Sequence, residues 1–206
     1  MFRSAFDVRS RNLTSRFTFF FNTVTAACLL GLPALSGTLA EAAIEAEAMI
    51  AADDLDGALA QARDIHAQIW DMTQNLGFTE ALLVAEPAAG YGIYNPRETI
   101  AFKPGEPIVI YAEPTGFGYG SPGEGLYAIG FIVDLQVRTA GGEVLGDSPN
   151  LTELNLTSRY RNREFQANIT YTLDGLAPGR YVLQTTLRDK HSVKNGIFET
   201  EIEIVE

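Results

Sequence analysis

Few residues of this chain have the types and spacing that catalysis requires. Its 206 residues include two histidines, His66 and His191, and a single cysteine, Cys28. Asp189, His191 and Ser192 contain the groups of a nucleophilic triad, but such groups converge from separate elements and these lie almost side by side. A zinc or iron site needs more nitrogen or sulfur ligands than the chain offers. The sequence therefore predicts a protein that is not an enzyme and that has no cofactor and no metal site.

Three acidic residues occupy alternate positions near the C-terminus, namely Glu199, Glu201 and Glu203. Alternation places them on one solvent-facing side of a strand, where they protect a sheet edge and do not form a catalytic carboxylate pair. The chain has no phosphate-binding Gly-Lys-Ser/Thr motif and no dinucleotide fingerprint after a predicted strand. A hydrolase that uses other acids is the remaining enzymatic alternative.

A glycine-rich loop over residues 114–125 has residue types that favour ligand binding. It contains Phe117 and Tyr119 among five glycines. Aromatic rings in such a loop can lie exposed and stack on a sugar or a peptide. The alternative is that both rings fold back onto the end of the domain.

A basic cluster interrupts an otherwise acidic chain. The net charge is −11 at pH 7, and several arginines lie within residues 1–40, so the remainder is more acidic still. Nucleic-acid binding and adhesion to anionic lipids need clustered basic residues, so neither is expected of this surface as a whole. Arg159, Arg161 and Arg163 are the exception; they could contact an anionic polymer or an acidic partner, or balance local acids.

The N-terminus has the parts of a secretory signal peptide. Arginines precede an uncharged run over residues 17–35, and small residues lead to Ala40 and Ala42, where cleavage is expected. We therefore expect residues 1–40 to be a signal peptide and the protein to be periplasmic or secreted. The alternatives are an inner-membrane anchor retained over residues 17–35, a mitochondrial transit sequence, and a lipoprotein lipidated at Cys28.

A cleaved signal would leave the mature chain without cysteine and therefore without disulfides. Its stability would depend on its core alone, for which a hydrophobic content of 46% is sufficient. An exported domain of this kind favours a bacterial envelope over a eukaryotic extracellular space.

Residues 41–76 are predicted to form a helical hairpin, because strong helix formers dominate there. Asp53 or Asp54 can cap the second helix. The segment 51–59 resembles the turn and second helix of a tetratricopeptide-type hairpin, although one copy is too few for a peptide-binding superhelix. Trp70 could be a core residue or an anchor.

The second helix has an apolar stripe at helical spacing. We expect this stripe to pack on the following domain or, alternatively, to serve in dimerisation or docking. Its members are Leu55, Ala58, Leu59, Ala62, Ile65, Ile69 and Met72.

Residues 77–206 are predicted to be β throughout. Alternating apolar and polar residues mark about seven strands, which indicates two packed antiparallel sheets. Residues 139–142 predict a hairpin turn, since glycine tolerates positive φ there. The predicted strands cover 81–86, 98–102, 108–113, 126–138, 163–173, 180–189 and 197–205, with 151–157 as a short addition.

The segment Leu176-x-Pro178-Gly179-x-Tyr181 resembles the tyrosine-corner turn of immunoglobulin-like and fibronectin type III domains. This resemblance implies that the Tyr181 hydroxyl bonds back to the backbone near the preceding corner. A wider pattern over residues 98–206 resembles domains of exported bacterial proteins. It comprises Phe102-x-Pro104-Gly105-Glu106, Tyr111-x-Glu113, Pro178-Gly179-x-Tyr181, Asp189 and Lys194. The resemblance concerns the fold, because β-sandwiches host many functions.

These observations predict an α+β protein. Its parts are a signal peptide over residues 1–40, a helical hairpin over 41–76 and an antiparallel immunoglobulin-like β-sandwich over 77–206. The expected function is a non-catalytic binding or assembly module of the bacterial cell envelope, whose partner is an envelope protein or a glycan and not a nucleic acid. The alternative is a glycan-binding accessory domain that uses the loop 114–125.

Overall fold

The structure is a computed structural model that describes residues 38–206. The predicted signal peptide over residues 1–40 lies outside the described residues except for its last three positions, which belong to the first helix. The alternative anchor over residues 17–35 and Cys28 also lie outside them. In the described part of the chain, no helix is long and apolar enough to cross a membrane.

The predicted helical hairpin consists of α1 (Thr38–Ala51) and α2 (Leu55–Met72). The carboxylate of Asp54 accepts a hydrogen bond from the Gly57 backbone N–H at 3.0 Å, which caps the N-terminus of α2. Asp53 has a φ of 61°, a left-handed conformation that aspartate tolerates in a tight turn between helices. The turn therefore uses both aspartates, one for its backbone conformation and one as the cap.

The apolar stripe of α2 does not pack on the β-domain as expected. α2 ends at Met72 and the first strand begins at Gly77, so the short connection holds only the end of the helix against the β-domain. Trp70 makes that contact and is buried. The role of the stripe in dimerisation or docking stays a prediction. Its exposed large members are Leu55, Leu59, Ile69 and Met72, each between 49% and 63% exposed.

Within residues 38–206, eight strands form two sheets. The three-stranded sheet has the order β1-β3-β6 and the five-stranded sheet the order β2-β8-β7-β4-β5; all pairings are antiparallel except β2 with β8. The fold is therefore α+β with two β-sheets, as predicted. The strands are β1 (Gly77–Leu83), β2 (Ala101–Phe102), β3 (Ile108–Thr115), β4 (Tyr127–Thr139), β5 (Val144–Ser158), β6 (Ala167–Tyr171), β7 (Gly179–Asp189) and β8 (Asn195–Ile204).

The two sheets share one apolar core. The hydroxyls of Tyr171 on β6 and Thr185 on β7 lie 2.9 Å apart and form a hydrogen bond from one sheet to the other. Alternation in the sequence correctly predicts the buried side of β4, β6, β7 and β8, because successive side chains of a strand point to opposite faces. The core includes Ile129, Phe131, Val133, Leu135, Val137, Ile169, Tyr171, Leu183, Leu187, Ile202 and Ile204.

Tyr181 stabilises the turn that leads into β7. Its hydroxyl donates a hydrogen bond to the Ala177 carbonyl at 2.7 Å, and its ring is buried. This is the bond that the tyrosine-corner resemblance implies. Tyr181 is therefore a structural residue.

β5 is longer than the short strand predicted over residues 151–157. It extends over Val144–Ser158 and is one of the two outer strands of the five-stranded sheet. A β-bulge opposite Asp134 accommodates Pro149 and Asn150, which interrupt the alternation in the first half of the strand. The sequence pattern missed this half because pairing with β4, and not local propensity, makes it a strand.

Asp134 lies on the outer face of the five-stranded sheet in an ion pair. Arg188 Nε lies 2.8 Å from Asp134 Oδ2, and the Asn150 backbone N–H donates to Oδ1 at 2.7 Å. The hydrogen bond from Arg188 lowers the pKa of Asp134 below its ordinary value of 3.8, although partial burial opposes this shift. A folded-state pKa that is lowered contributes stability above the unfolded-state pKa, and this stability is lost as the pH falls through the folded-state pKa.

We expect the free energy of unfolding of Asp134→Asn to depend less on pH in the acidic range than that of the wild type. At pH 6 the variant should be less stable than the wild type, and the difference should shrink as the pH falls below about 3.8, the ordinary pKa of the carboxyl. Urea unfolding between pH 2 and pH 6 measures both curves. Glu201→Gln, at an exposed position of β8, is the control and should follow the wild type. If the free energies of unfolding of Asp134→Asn and the wild type changed with pH in parallel, the lowered pKa of Asp134 would not contribute to stability as expected.

Candidate functional site

The end of the β-domain beside α2 brings together the two segments that the sequence singled out for binding. The Tyr119 hydroxyl donates to the Asn162 backbone carbonyl at 2.7 Å, and the guanidinium carbon of Arg161 lies 4.5 Å from the centre of the Tyr119 ring. A cation over an aromatic face is attracted by the electron density of the ring. The loop and the basic cluster therefore form a single surface. We call it the arginine–tyrosine surface: Tyr119, Arg159, Tyr160, Arg161 and Arg163.

Most of the arginine–tyrosine surface is open to solvent. Arg159 and Arg161 are exposed, Tyr160 is 77% exposed, and Tyr119 and Arg163 are half-buried. Burial raises the pKa of the Tyr119 hydroxyl, whereas the positive charges of Arg163 and Arg161 act in the opposite direction. Tyr160 was not among the predicted binding residues, although its position between two arginines in the sequence is a usable signal.

Phe117 does not belong to this exposed surface. Its side chain is 1% exposed, and its ring packs edge-on against Phe131 and Phe165, at 86° and 68°, with centroids 5.7 and 6.3 Å away. The hypothesis that Phe117 stacks on a ligand is therefore corrected, because its ring lies in the core. The loop folds back onto the end of the domain, which was the alternative drawn from the sequence.

Trp70 joins α2 to this loop. Its ring lies 4.9 Å from that of Phe117 at 87°, and its Nε1–H donates to the Phe117 carbonyl at 2.8 Å. Next to this contact, Gly116 lies against Thr73, the residue that follows α2. Gly116 has a φ of 79°, and a Cβ at this position would lie 2.5 Å from the Thr73 hydroxyl oxygen. Lys194 donates to the Gly116 carbonyl at 2.7 Å. These contacts hold the end of α2, the loop and the β7–β8 hairpin together.

Asp189 organises the tip of that hairpin. Its carboxylate accepts hydrogen bonds from the Gly118 N–H at 2.6 Å, the His191 backbone N–H at 2.9 Å and the Ser192 hydroxyl. In a catalytic triad the imidazole would lie between the serine and the aspartate, but here Ser192 donates directly to Asp189. The carboxylate is 7% exposed. Asp189 therefore acts as an acceptor that shapes the loop beneath Tyr119.

A second buried carboxylate, Glu113, lies on the outer face of the three-stranded sheet. The Tyr111 hydroxyl donates to Glu113 Oε1 at 2.5 Å and accepts from the Gly92 N–H at 2.7 Å. Burial, together with the bond to Glu113, raises the pKa of Tyr111 to about 12. Glu113 and Asp189 have no hydrogen-bond partner in common, so they do not form a carboxylate pair. The absence of enzymatic activity stays a prediction.

A cavity of about 420 Å³ opens beside the arginine–tyrosine surface. It is lined by His66, Asn162, Arg163 and Glu164, and the His66 ring meets Trp70 edge-on at 5.8 Å. The cavity therefore combines an imidazole, an amide, a guanidinium and a carboxylate. Among residues 38–206, no group of three His, Cys, Asp or Glu side chains could hold a metal ion.

The fold and the site together define an α+β protein in which a helical hairpin is docked by its end on two β-sheets. No family model matches this chain, and no curated protein matches it. A solved structure with some similarity is Spo0M, a sporulation control protein from Bacillus subtilis, at 14% identity and a TM-score of 0.35. The match covers 65% of this chain and 51% of the Spo0M chain, which is about half its length. Values this low establish no shared family.

Proposed function

We propose that this chain is a non-catalytic binding or assembly module that holds an acidic segment of a protein partner on the arginine–tyrosine surface. The observation that carries the proposal is the exposure of Arg159, Tyr160 and Arg161 in a chain with a net charge of −11. Tyrosine and arginine are the residue types enriched at interface hot spots, and arginine binds carboxylates with two parallel hydrogen bonds.

Partner binding is further supported by how Arg161 is held. Its guanidinium is stacked on Tyr119, while its contact with Asp71 is 3.4 Å long and exposed, which contributes little. A prearranged guanidinium loses less side-chain entropy when it binds. Phe117 is buried, so of the two aromatic rings in the loop only that of Tyr119 can contact a glycan.

The proposal places the module in the bacterial cell envelope. The signal-like sequence over residues 1–40 supports export, in line with a periplasmic or secreted protein. The bond from Tyr181 to Ala177 supports an immunoglobulin-like arrangement of the β-domain, a fold that often serves in binding.

Charge reversal tests the proposed surface. The full chain and an Arg159→Glu/Arg161→Glu variant serve as baits in a bacterial envelope extract, and the affinity of any retained protein is then measured. We expect the variant to bind that partner at least tenfold more weakly, and added salt to weaken wild-type binding, because exposed charges are screened.

The matched control is Lys103→Glu/Arg180→Glu, which changes the net charge equally at two exposed positions elsewhere. It should bind like the wild type. Equal affinity of both double variants for the partner would contradict the proposal, and so would a wild-type bait that retains no protein.

A further inference from the structure

The β-domain has a groove on the side where the outer strands of its two sheets face each other. β6 is one of the two outer strands of the three-stranded sheet, and β5 is one of the two of the five-stranded sheet. No other strand of residues 38–206 pairs with their free sides. A cavity of about 500 Å³ lies between them, and a second of about 250 Å³ continues it beyond Leu173. We call this cavity the β5–β6 groove.

The groove lies along the backbone edge of β6. Six consecutive residues, 168–173, line it. Consecutive side chains point to opposite faces, so a cavity that adjoins all six follows the strand edge instead of covering one face. Unpaired backbone N–H and C=O groups of an outer strand can bond to a further strand at that position. The groove therefore has the place and the backbone groups for one more strand.

The side chains around the groove define its occupant. The groove has a mixed lining, in which leucines of β4 and β5 face Ile169 of β6 and serine, threonine and asparagine side chains lie between them. Asp174 lines the smaller cavity that continues the groove beyond Leu173, so a negative charge lies past this end of the groove. An occupant gains from apolar side chains that reach the leucines and from a positive charge beside Asp174.

We propose that the β5–β6 groove binds an extended segment of a partner protein as an added strand on β6. The segment has apolar side chains at alternate positions, which face Leu135 and Leu154, and a basic residue beside Asp174. Main-chain hydrogen bonds supply affinity and the alternate side chains supply specificity, as in other cases of strand addition. This surface is separate from the arginine–tyrosine surface, so the inference goes beyond the proposed function.

A defined peptide tests the groove. The probe is a capped synthetic peptide in which valine and threonine alternate between terminal lysines, titrated into the full ¹⁵N-labelled chain. We expect saturable shifts of the amides of residues 168–173 and slower hydrogen exchange of these amides. A peptide of the same composition with its valines grouped together should bind at least tenfold more weakly, because it cannot place alternate side chains in the groove.

Two substitutions on β5 separate the groove from the rest of the strand. Thr152 pairs with the buried Val133 and lines the groove, so Thr152→Trp should fill it and weaken peptide binding at least tenfold. Thr157 pairs with Ala128, whose side chain points to the other face, so Thr157→Trp should bind like the wild type.

Three results would overturn the inference. The first is no saturable binding by the wild-type chain, and the second is equal binding by the Thr152→Trp and Thr157→Trp variants. The third is concentration-dependent protection of residues 168–173 without peptide, which would identify a second copy of this chain as the occupant. The Arg159→Glu/Arg161→Glu variant should bind the peptide normally, so the two surfaces can fail independently.

Discussion

Replacing Trp70 with alanine should lower the free energy of unfolding by about 3–5 kcal/mol, the range found for large aromatic residues truncated in a core. The indole is 6% exposed and packs edge-on against Phe117. Its loss also leaves the Phe117 carbonyl without its donor in a buried position. The effect should be large because the end of α2 is the part of the helical hairpin that is held against the β-domain.

Urea unfolding followed by far-ultraviolet circular dichroism measures this effect. Trp70→Phe keeps an aromatic ring but loses the indole N–H, so its destabilisation should be intermediate. Tyr160→Ala is the exposed control and should change stability by no more than about 0.5 kcal/mol. A loss below about 1 kcal/mol for Trp70→Ala would be far outside the range for a packed aromatic residue and would mean that Trp70 does not dock the helix.

The parts of the fold that sequence alone predicts are those determined by local pattern. The buried faces of β4 and β7 follow from alternation, and the Tyr181 bond follows from a turn only four residues long. β5 was underestimated because its first half contains Pro149 and depends on pairing with β4. The α2 stripe was placed wrongly because periodicity identifies an apolar face but not what covers it.

In the candidate site, too, local sequence predicts some features and long-range packing determines the others. The sequence predicted Arg161 and Tyr119 as candidate binding residues, but the stacking of one on the other joins segments 42 positions apart and cannot be read from either. Phe117 was misjudged for the same reason: its ring is covered by Trp70, which precedes it by 47 residues. Local composition predicted where an unusual surface would be, whereas long-range packing decided which of its rings are exposed.

Replacing Asp189 with alanine should destabilise the protein by about 2–3 kcal/mol, since each of the three partly buried hydrogen bonds that its carboxylate accepts contributes about 0.5–1.5 kcal/mol. The substitution removes the acceptor of the Gly118 N–H, the His191 N–H and the Ser192 hydroxyl at once. Asp189→Asn keeps one acceptor oxygen and should lose about half as much. Asp147→Ala, at an exposed position of β5, should remain within about 0.5 kcal/mol of the wild type.

Thermal and urea unfolding rank these variants by their free energy of unfolding. Asp189→Ala should also affect binding, because Asp189 lies beneath the arginine–tyrosine surface. The bond to Gly118 holds the loop one residue before Tyr119. Without it, only the bond from the Tyr119 hydroxyl to the Asn162 carbonyl and ring packing hold Tyr119, so the ring is less firmly fixed under Arg161 and the guanidinium is less well prearranged. Partner affinity should therefore fall in folded Asp189→Ala, more than in folded Asp189→Asn. A folded Asp189→Ala variant with wild-type affinity would show that loop order and binding are independent.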